Sequence, residues 1–308
     1  MIVLVNPNAG GGRAATLWEG LCRELRARHP SMKILLPGDR LSVAESIGEA
    51  LDRGERHFVA AGGDGTVNLL LNTLLALKPD RETGLAVGAI ALGSSNDFHK
   101  PVQPWQCTGG ISCKIDFSAA TPRDVVHVSY SGKGGEACRF FLINASAGLT
   151  AEANAFFNNT DRLLGWLKQR YTDPAILYAA IRTILRYRNE EMTLTFPDAE
   201  AVTVRVTNLG IVRNPHFSGG LSYADEQTVR SGMMGVHLCY DTGIPGRLRL
   251  LAALARGRFD HLPRILSRQT PWLRLDARSP FSLEMDGEIV TTTRATFTVL
   301  PDHIRVCP

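Results

Sequence analysis

The chain has 308 residues, enough for two domains, with 44% hydrophobic and 21% charged residues, which excludes a disordered chain. Its 34 Lys and Arg against 30 Asp and Glu leave a net charge of +4, too dilute for a dedicated nucleic-acid binder, so no nucleic-acid partner is expected. No apolar run approaches the ~18 residues that span a bilayer, and Met1-Ile2-Val3-Leu4-Val5 has neither a basic flank nor a cleavage site, so a cytoplasmic protein is expected.

In chain order, Ile2–Val5 reads as a strand, Asn6 to Gly12 as a turn, and Ala14 to Arg28 as a helix. Ile34–Leu36 reads as a second strand, and Ser42 as the cap of a helix running to about Arg53. Phe58–Ala61 is a third strand, stopped by Gly62-Gly63-Asp64-Gly65, with a helix from Thr66 to Leu77. Leu85–Leu92 is a fourth, ending in Gly93-Ser94-Ser95-Asn96-Asp97. Strands alternating with helices predict a parallel α/β sheet, whose ligands sit outside the carboxyl ends of the strands, where these turns fall. Beyond about residue 122 the texture becomes β-rich. Strands are expected at Val125–Tyr130, Phe140–Asn144, Met192–Phe196, Val202–Thr207, Gly235–Tyr240, Trp272–Asp276, Phe281–Met285 and Ala295–Leu300. Helical spans interrupt them at Thr150–Tyr187 and Pro245–Arg256. The six cysteines contain no C-x-x-C and the eight histidines no H-x-x-x-H, so buried reduced thiols are expected rather than a zinc site.

Gly62-Gly63-Asp64-Gly65-Thr66 joins a strand end, a glycine turn and a helix start, the combination whose backbone N–H groups bind phosphate. Thr66 adds a hydroxyl, and Asp64, an anion in such a cradle, calls for Mg²⁺ or a basic group beside it. The competing reading is a plain turn with Asp64 as a helix cap. Asn6-Pro7-Asn8-Ala9-Gly10-Gly11-Gly12-Arg13 repeats the geometry, and a cation at a helix start makes sense beside a bound anion, although a solvated surface arginine is the ordinary alternative. Neither turn is a P-loop or a G-x-G-x-x-G motif.

Together these turns carry a resemblance. Asn6-Pro7-x-x-Gly10, Gly62-Gly63-Asp64-Gly65-Thr66-x-Asn68, Gly93-Ser94-x-Asn96-Asp97-Phe98 and Asp286-Gly287-Glu288, in that order, resemble the diacylglycerol kinase catalytic-domain family, which includes bacterial lipid kinases and sphingosine and ceramide kinases. The resemblance implies a two-domain lipid kinase architecture similar to NAD kinase. An α/β nucleotide-binding domain with a parallel sheet (1–122 plus 301–308) would precede a β-rich, sandwich-like lipid-substrate domain (123–300). It implies ATP-dependent phosphoryl transfer to a lipid hydroxyl, with ATP and Mg²⁺ as cofactors and nucleotide between the domains. The nucleotide residues would be Asn6, Pro7, Gly10, Arg13, Gly62, Gly63, Asp64, Gly65, Thr66, Asn68, Gly93, Ser94 and Asn96, and the Mg²⁺ residues Asp64, Asp97 and Asp124. Asp286 and Glu288 would be catalytic, with Asp286 accepting the hydroxyl proton; Asp-Gly is also a hairpin signal in its own right. Four positions depart from the family pattern: Leu69 stands in place of Glu, Ala91 in place of Pro, Ser94 in place of Thr, and Ser231 in place of an Asp that helps hold a structural Mg²⁺.

A soluble-substrate kinase of the NAD-kinase type and a catalytically silent lipid-binding module are the rival classes. The lipid kinase reading implies a peripheral position on the inner face of the membrane, a lipid substrate at its surface, and room for a homodimer. The stretch Arg247 to Arg258 is the candidate membrane contact. Leu248, Leu250, Leu251 and Leu254 share a broad helical face, Arg249 and Arg256 lie opposite, and Arg247 and Arg258 stand at its two ends, where they can snorkel. Its alternative is a helix packing those leucines on its own domain.

Overall fold

The computed structural model describes residues 1–38, 40–78, 84–132, 134–158, 172–197, 199–223 and 229–308. The chain divides into two units, Met1–Val125 with Leu300–Pro308, and Val126–Val299.

In the first unit, β1 (Ile2–Val5), β2 (Lys33–Leu35), β3 (His57–Gly62) and β4 (Ala86–Ala91) pair in the order β2-β1-β3-β4, all parallel. β1 is buried along its whole length and β3 and β4 nearly so, which is why they read as unbroken apolar runs: a parallel sheet is covered on both faces. The helices α1 (Arg13–Arg28), α2 (Arg40–Asp52) and α3 (Asp64–Leu77) connect them. Ala14, Trp18, Leu21 and Leu25 lie on one face of α1 and pack with Val3, Val5, Val59 and Ile90. Two helix starts differ from expectation. α2 begins at Arg40, so Ser42 lies inside its first turn rather than capping it. α3 begins at Asp64 because Gly63, extended at φ −96° and ψ −172°, is its N-cap. Along the far edge of β4, β5 (Cys107–Thr108) leads to β6 (Ile111–Lys114), which pairs antiparallel with Ala89 and Ile90. Arg305 and Val306, from the end of the last strand, pair in parallel with Ala86 and Val87.

The second unit contains most of β7 (Thr121–Gly132), then β8 (Gly135–Phe141), β9 (Asn144–Gly148), α4 (Leu149–Asn158) and α5 (Thr172–Arg186). Of the helical span expected at Thr150–Tyr187, residues 159–171 lie outside the described residues. There follow β10 (Glu190–Thr195), β11 (Val202–Val212), the short pair β12 (His216–Phe217) and β13 (Leu221–Ser222), β14 (Met234–Tyr240), α6 (Ile244–Leu254), β15 (Ile265–Thr270), β16 (Trp272–Met285) and β17 (Glu288–Val306). The order is β15-β14-β11-β10-β16-β17, with β9 antiparallel to both β11 and β16. The strand expected at Phe140–Asn144 is in fact the junction of two, with β8 ending at Phe141 and β9 starting at Asn144. Conversely, Trp272–Asp276 and Phe281–Met285 are one strand, irregular in register between Asp276 and Phe281, where Pro280 has no N–H to give. Its core draws Val126, Phe141, Met192, Leu209, Leu273 and Phe297 from different strands.

α6 packs Leu250 and Leu254 with Ile184, Tyr223 and Phe259. Arg247 is buried: Nη1 donates to Ile184 O at 3.0 Å and Tyr187 O at 2.7 Å, and Nη2 to Asn189 Oδ1 at 2.9 Å. It therefore satisfies carbonyls at the end of α5 and does not snorkel. All six cysteines are free; Cys113, Cys239 and Cys307 are buried as expected, whereas Cys107 and Cys138 are exposed.

Candidate active site

The carboxyl ends of β1, β3 and β4 each lead into a glycine-bearing turn, and these turns touch one another. After β1, Asn6 N donates to Ala61 O at 2.9 Å, Asn6 Nδ2 lies 3.4 Å from Thr66 Oγ1, and Asn6 Oδ1 accepts from Asn8 N at 3.1 Å. Pro7 continues into Gly10, Gly11 and Gly12, at φ 60°, 69° and 91°, a left-handed run that only glycines sustain. Arg13 Nε donates to Gly10 O at 3.0 Å, and its side chain is exposed. A Cβ on Gly93 would sit 2.4 Å from Gly63 Cα, so the turns after β3 and β4 cross at backbone contact. Asn96, at φ 50°, folds back on its own turn: Oδ1 accepts from Gly93 N and Nδ2 donates to Gly93 O, each at 2.9 Å.

Of the expected nucleotide residues, Gly65 and Ser94 are exposed, as is Arg13, while Gly62 and Thr66 are buried where the turn enters α3. Asn68 is buried and accepts from Asn72 Nδ2 at 3.1 Å. Asn96 thus braces its own turn, and Asn68 is paired within α3.

Asp64 and Asp97 come together. Asp64 heads α3, its Oδ1 accepting from Phe98 N at 3.0 Å, and Asp97 is buried with Lys100 Nζ at 2.6 Å. Burial, then the charge of Asp97, pushes the Asp64 carboxyl up to about 6, against the opposing pull of the Phe98 and Asp97 amides and Lys100. Two neighbouring carboxylates, one short of counter-charge, form a hard oxygen donor set that suits Mg²⁺. Asp124 does not complete a triad. It is buried in β7 and accepts from Asp302 N at 3.0 Å, and among the described residues no three His, Cys, Asp or Glu side chains form a metal-binding group.

Asp286 and Glu288 lie in the second unit, on the hairpin between β16 and β17. Met285 pairs with Glu288 across a two-residue turn, with Asp286 at φ 46° and Gly287 at φ 91°, the left-handed conformations of a type I′ turn. The carboxylate of Asp286 is buried and receives three backbone N–H groups: Ile143 and Asn144 donate to Oδ1 at 3.1 and 2.9 Å, and Leu142 donates to Oδ2 at 3.0 Å. Asp286 N returns a bond to Asn144 O at 3.0 Å. Glu288 is half-buried.

Residues 1–121 match the diacylglycerol kinase catalytic domain, and residues 144–308 match the YegS C-terminal NAD kinase beta sandwich-like domain. The chain belongs to the diacylglycerol kinase catalytic-domain family, with a YegS-type C-terminal domain. Among curated relatives, a Xanthomonas axonopodis pv. citri protein named "Probable lipid kinase YegS-like" is 23% identical over 292 residues, covering 92% of this chain and 88% of its own length. A Chromohalobacter salexigens protein of the same name is 27% identical over 261 residues, covering 82% and 74%. Among solved structures, one described as a diacylglycerol kinase from Bacillus anthracis str. Sterne has the same fold, with a TM-score of 0.66 at 16% identity over 99% of this chain and 95% of that one.

Within this lipid kinase family architecture, three residues beside the motifs, one in the first unit and two in the second, escaped the sequence reading. Lys100, one helical turn from Asp97, was detectable as an i, i+3 charge pair. Glu284 and Ser146 were not, being far apart in the chain. Glu284 is buried, accepting from Ser146 Oγ at 2.9 Å and from Gly287 N at 2.6 Å, and so braces the Asp286 turn. Of the departures from the family pattern, Leu69 is half-buried on α3 and Ser231 is exposed in a turn before β14.

Proposed function

We propose that this protein is an ATP-dependent lipid kinase that transfers the γ-phosphoryl group to the hydroxyl of a lipid alcohol such as diacylglycerol. The observation that carries the reading is the Asp64–Asp97 pair beside crossed glycine turns, since a charged pair so placed is unfavourable until a dication joins it. Mg²⁺ would be held by Asp64 and Asp97, where it would neutralise phosphate charge. The left-handed Gly10–Gly12 run and the start of α3 offer backbone N–H groups for the phosphates, with Thr66 and Ser94 adding hydroxyls. In the transfer the lipid oxygen bonds to the γ-phosphorus, the bond from that phosphorus to the β–γ bridging oxygen breaks, ADP leaves, and the hydroxyl proton passes to Asp286. A carboxylate gripped by three amides is held in one place, which suits phosphoryl transfer because positioning matters there more than basicity. Glu288 follows on the same turn as its polar neighbour.

The test offers γ-labelled ATP to the protein with detergent-dispersed diacylglycerol, monoacylglycerol, ceramide and sphingosine, and separately with NAD. Label in at least one lipid, abolished by chelating Mg²⁺, is the expected result. Label in NAD alone contradicts the reading.

A further inference from the structure

We propose that the exposed aliphatic stripes of α5 and α6 are the surface by which this protein docks on an anionic lipid bilayer. On α5, Leu177, Ile181 and Leu185 recur every four residues, and on α6 so do Ile244 and Leu248; all five are 42–60% exposed. Beside this stripe α5 buries Ala179, Thr183 and Ile184, so the helix is apolar both inward and outward. One exposed leucine needs no explanation. Two such stripes, on helices tied together by the bonds of Arg247 to Ile184 O and Tyr187 O, are apolar where a surface helix ordinarily carries polar residues.

Charge identifies the occupant. Every charged residue in segments 177–189 and 244–258 is an arginine. Arg186, Arg188, Arg249, Arg256 and Arg258 are exposed, and the guanidinium of Arg182 lies 4.1 Å from the centre of the Phe156 ring. The first acidic residues beyond these segments are Asp173, Glu190, Asp241 and Asp260. Leucine and isoleucine flanked chiefly by arginine match acyl chains beneath anionic headgroups. A second copy would set arginine against arginine. The proposal rests on the lipid kinase reading in one respect: a lipid acceptor lies in a bilayer, and no described helix is long and apolar enough to cross one.

The test is co-sedimentation of the full chain, without nucleotide, with phosphatidylcholine vesicles and with mixed phosphatidylcholine–phosphatidylglycerol vesicles. The parent should bind the mixed vesicles. Partition should fall about tenfold or more in the variant carrying Leu177→Ser, Ile181→Ser and Leu185→Ser, and likewise in the one carrying Arg186→Glu, Arg188→Glu and Arg249→Glu. Added salt should weaken parent binding. Both variants should keep the parent's thermal transition and its turnover of detergent-dispersed lipid. A parent that ignores the mixed vesicles, or a serine variant that binds them undiminished, overturns the proposal. So does a serine variant whose only change is the loss of a dimer in sedimentation. If dispersed lipid is not phosphorylated at all while vesicle binding is lost in the variants, the lipid kinase reading fails and the docking surface stands.

Discussion

At the head of α3, a carboxylate sits beside a second one in surroundings that favour its neutral form, and only a ligand makes that arrangement useful. Asp64 is held at about 6, above its ordinary 3.8, so the folded chain binds this proton more tightly than the unfolded chain does. Its contribution to stability is therefore greatest at acid pH and declines as pH rises from about 4 through about 6. Asp64→Asn, whose amide oxygen still accepts from Phe98 N, should gain roughly 1–3 kcal/mol in urea unfolding near pH 7, and nothing below about pH 4. Mg²⁺ should stabilise the parent and not this variant. Equal stability of the two at neutral pH would show that the pair carries no such cost. The sequence told less about Asp286. Its Asp-Gly pair is a hairpin signal in its own right and only the order of the motifs favours a catalytic reading; the protein makes it a turn while fixing the carboxylate with amides of residues 142–144, a contact between groups 142 to 144 positions apart that no local pattern announces.

Elements differ in how openly they declare themselves. β1, β3 and β4 were legible because strands buried on both faces are apolar throughout, and their glycine turns because left-handed backbone demands glycine. β15 was not: among the described residues Ile265–Thr270 pairs only with β14, and it carries exposed Ser267 and Arg268, the polar guise of a protected edge. The start of α3 was hidden because Gly-Gly-Asp-Gly looks like a turn throughout, yet only Gly63 caps and Asp64 and Gly65 are already helical. This yields a clean test of the phosphate cradle. A Cβ at Gly65 meets nothing within 4 Å, so Gly65→Ala should fold and keep or raise its melting temperature, alanine favouring a helix by up to about 1 kcal/mol. Calorimetric affinity for a non-hydrolysable ATP analogue should nevertheless drop about tenfold or more, as the methyl occupies the phosphate approach. Unchanged affinity would put the phosphates elsewhere. Gly93→Ala is the wrong probe, since it collides with Gly63 and disturbs the turns themselves.

For the molecule as a whole, family membership covers both units, and the last strand carries the chain from the β-rich unit back to β4 of the first. That return could be expected only from the resemblance, because a polar-alternating strand of Glu288–Val306 does not reveal its neighbours. The account's central claim is phosphoryl transfer to a lipid hydroxyl with Asp286 taking the proton. The direct measurement is the steady-state rate of labelled phosphate transfer from ATP to the accepted dispersed lipid, comparing the parent with Asp286→Asn, whose fold is checked by its thermal transition and whose nucleotide affinity is measured alongside. The account predicts kcat lower by about 10²–10⁴-fold with nucleotide affinity little changed; near-normal turnover in the folded variant would contradict it.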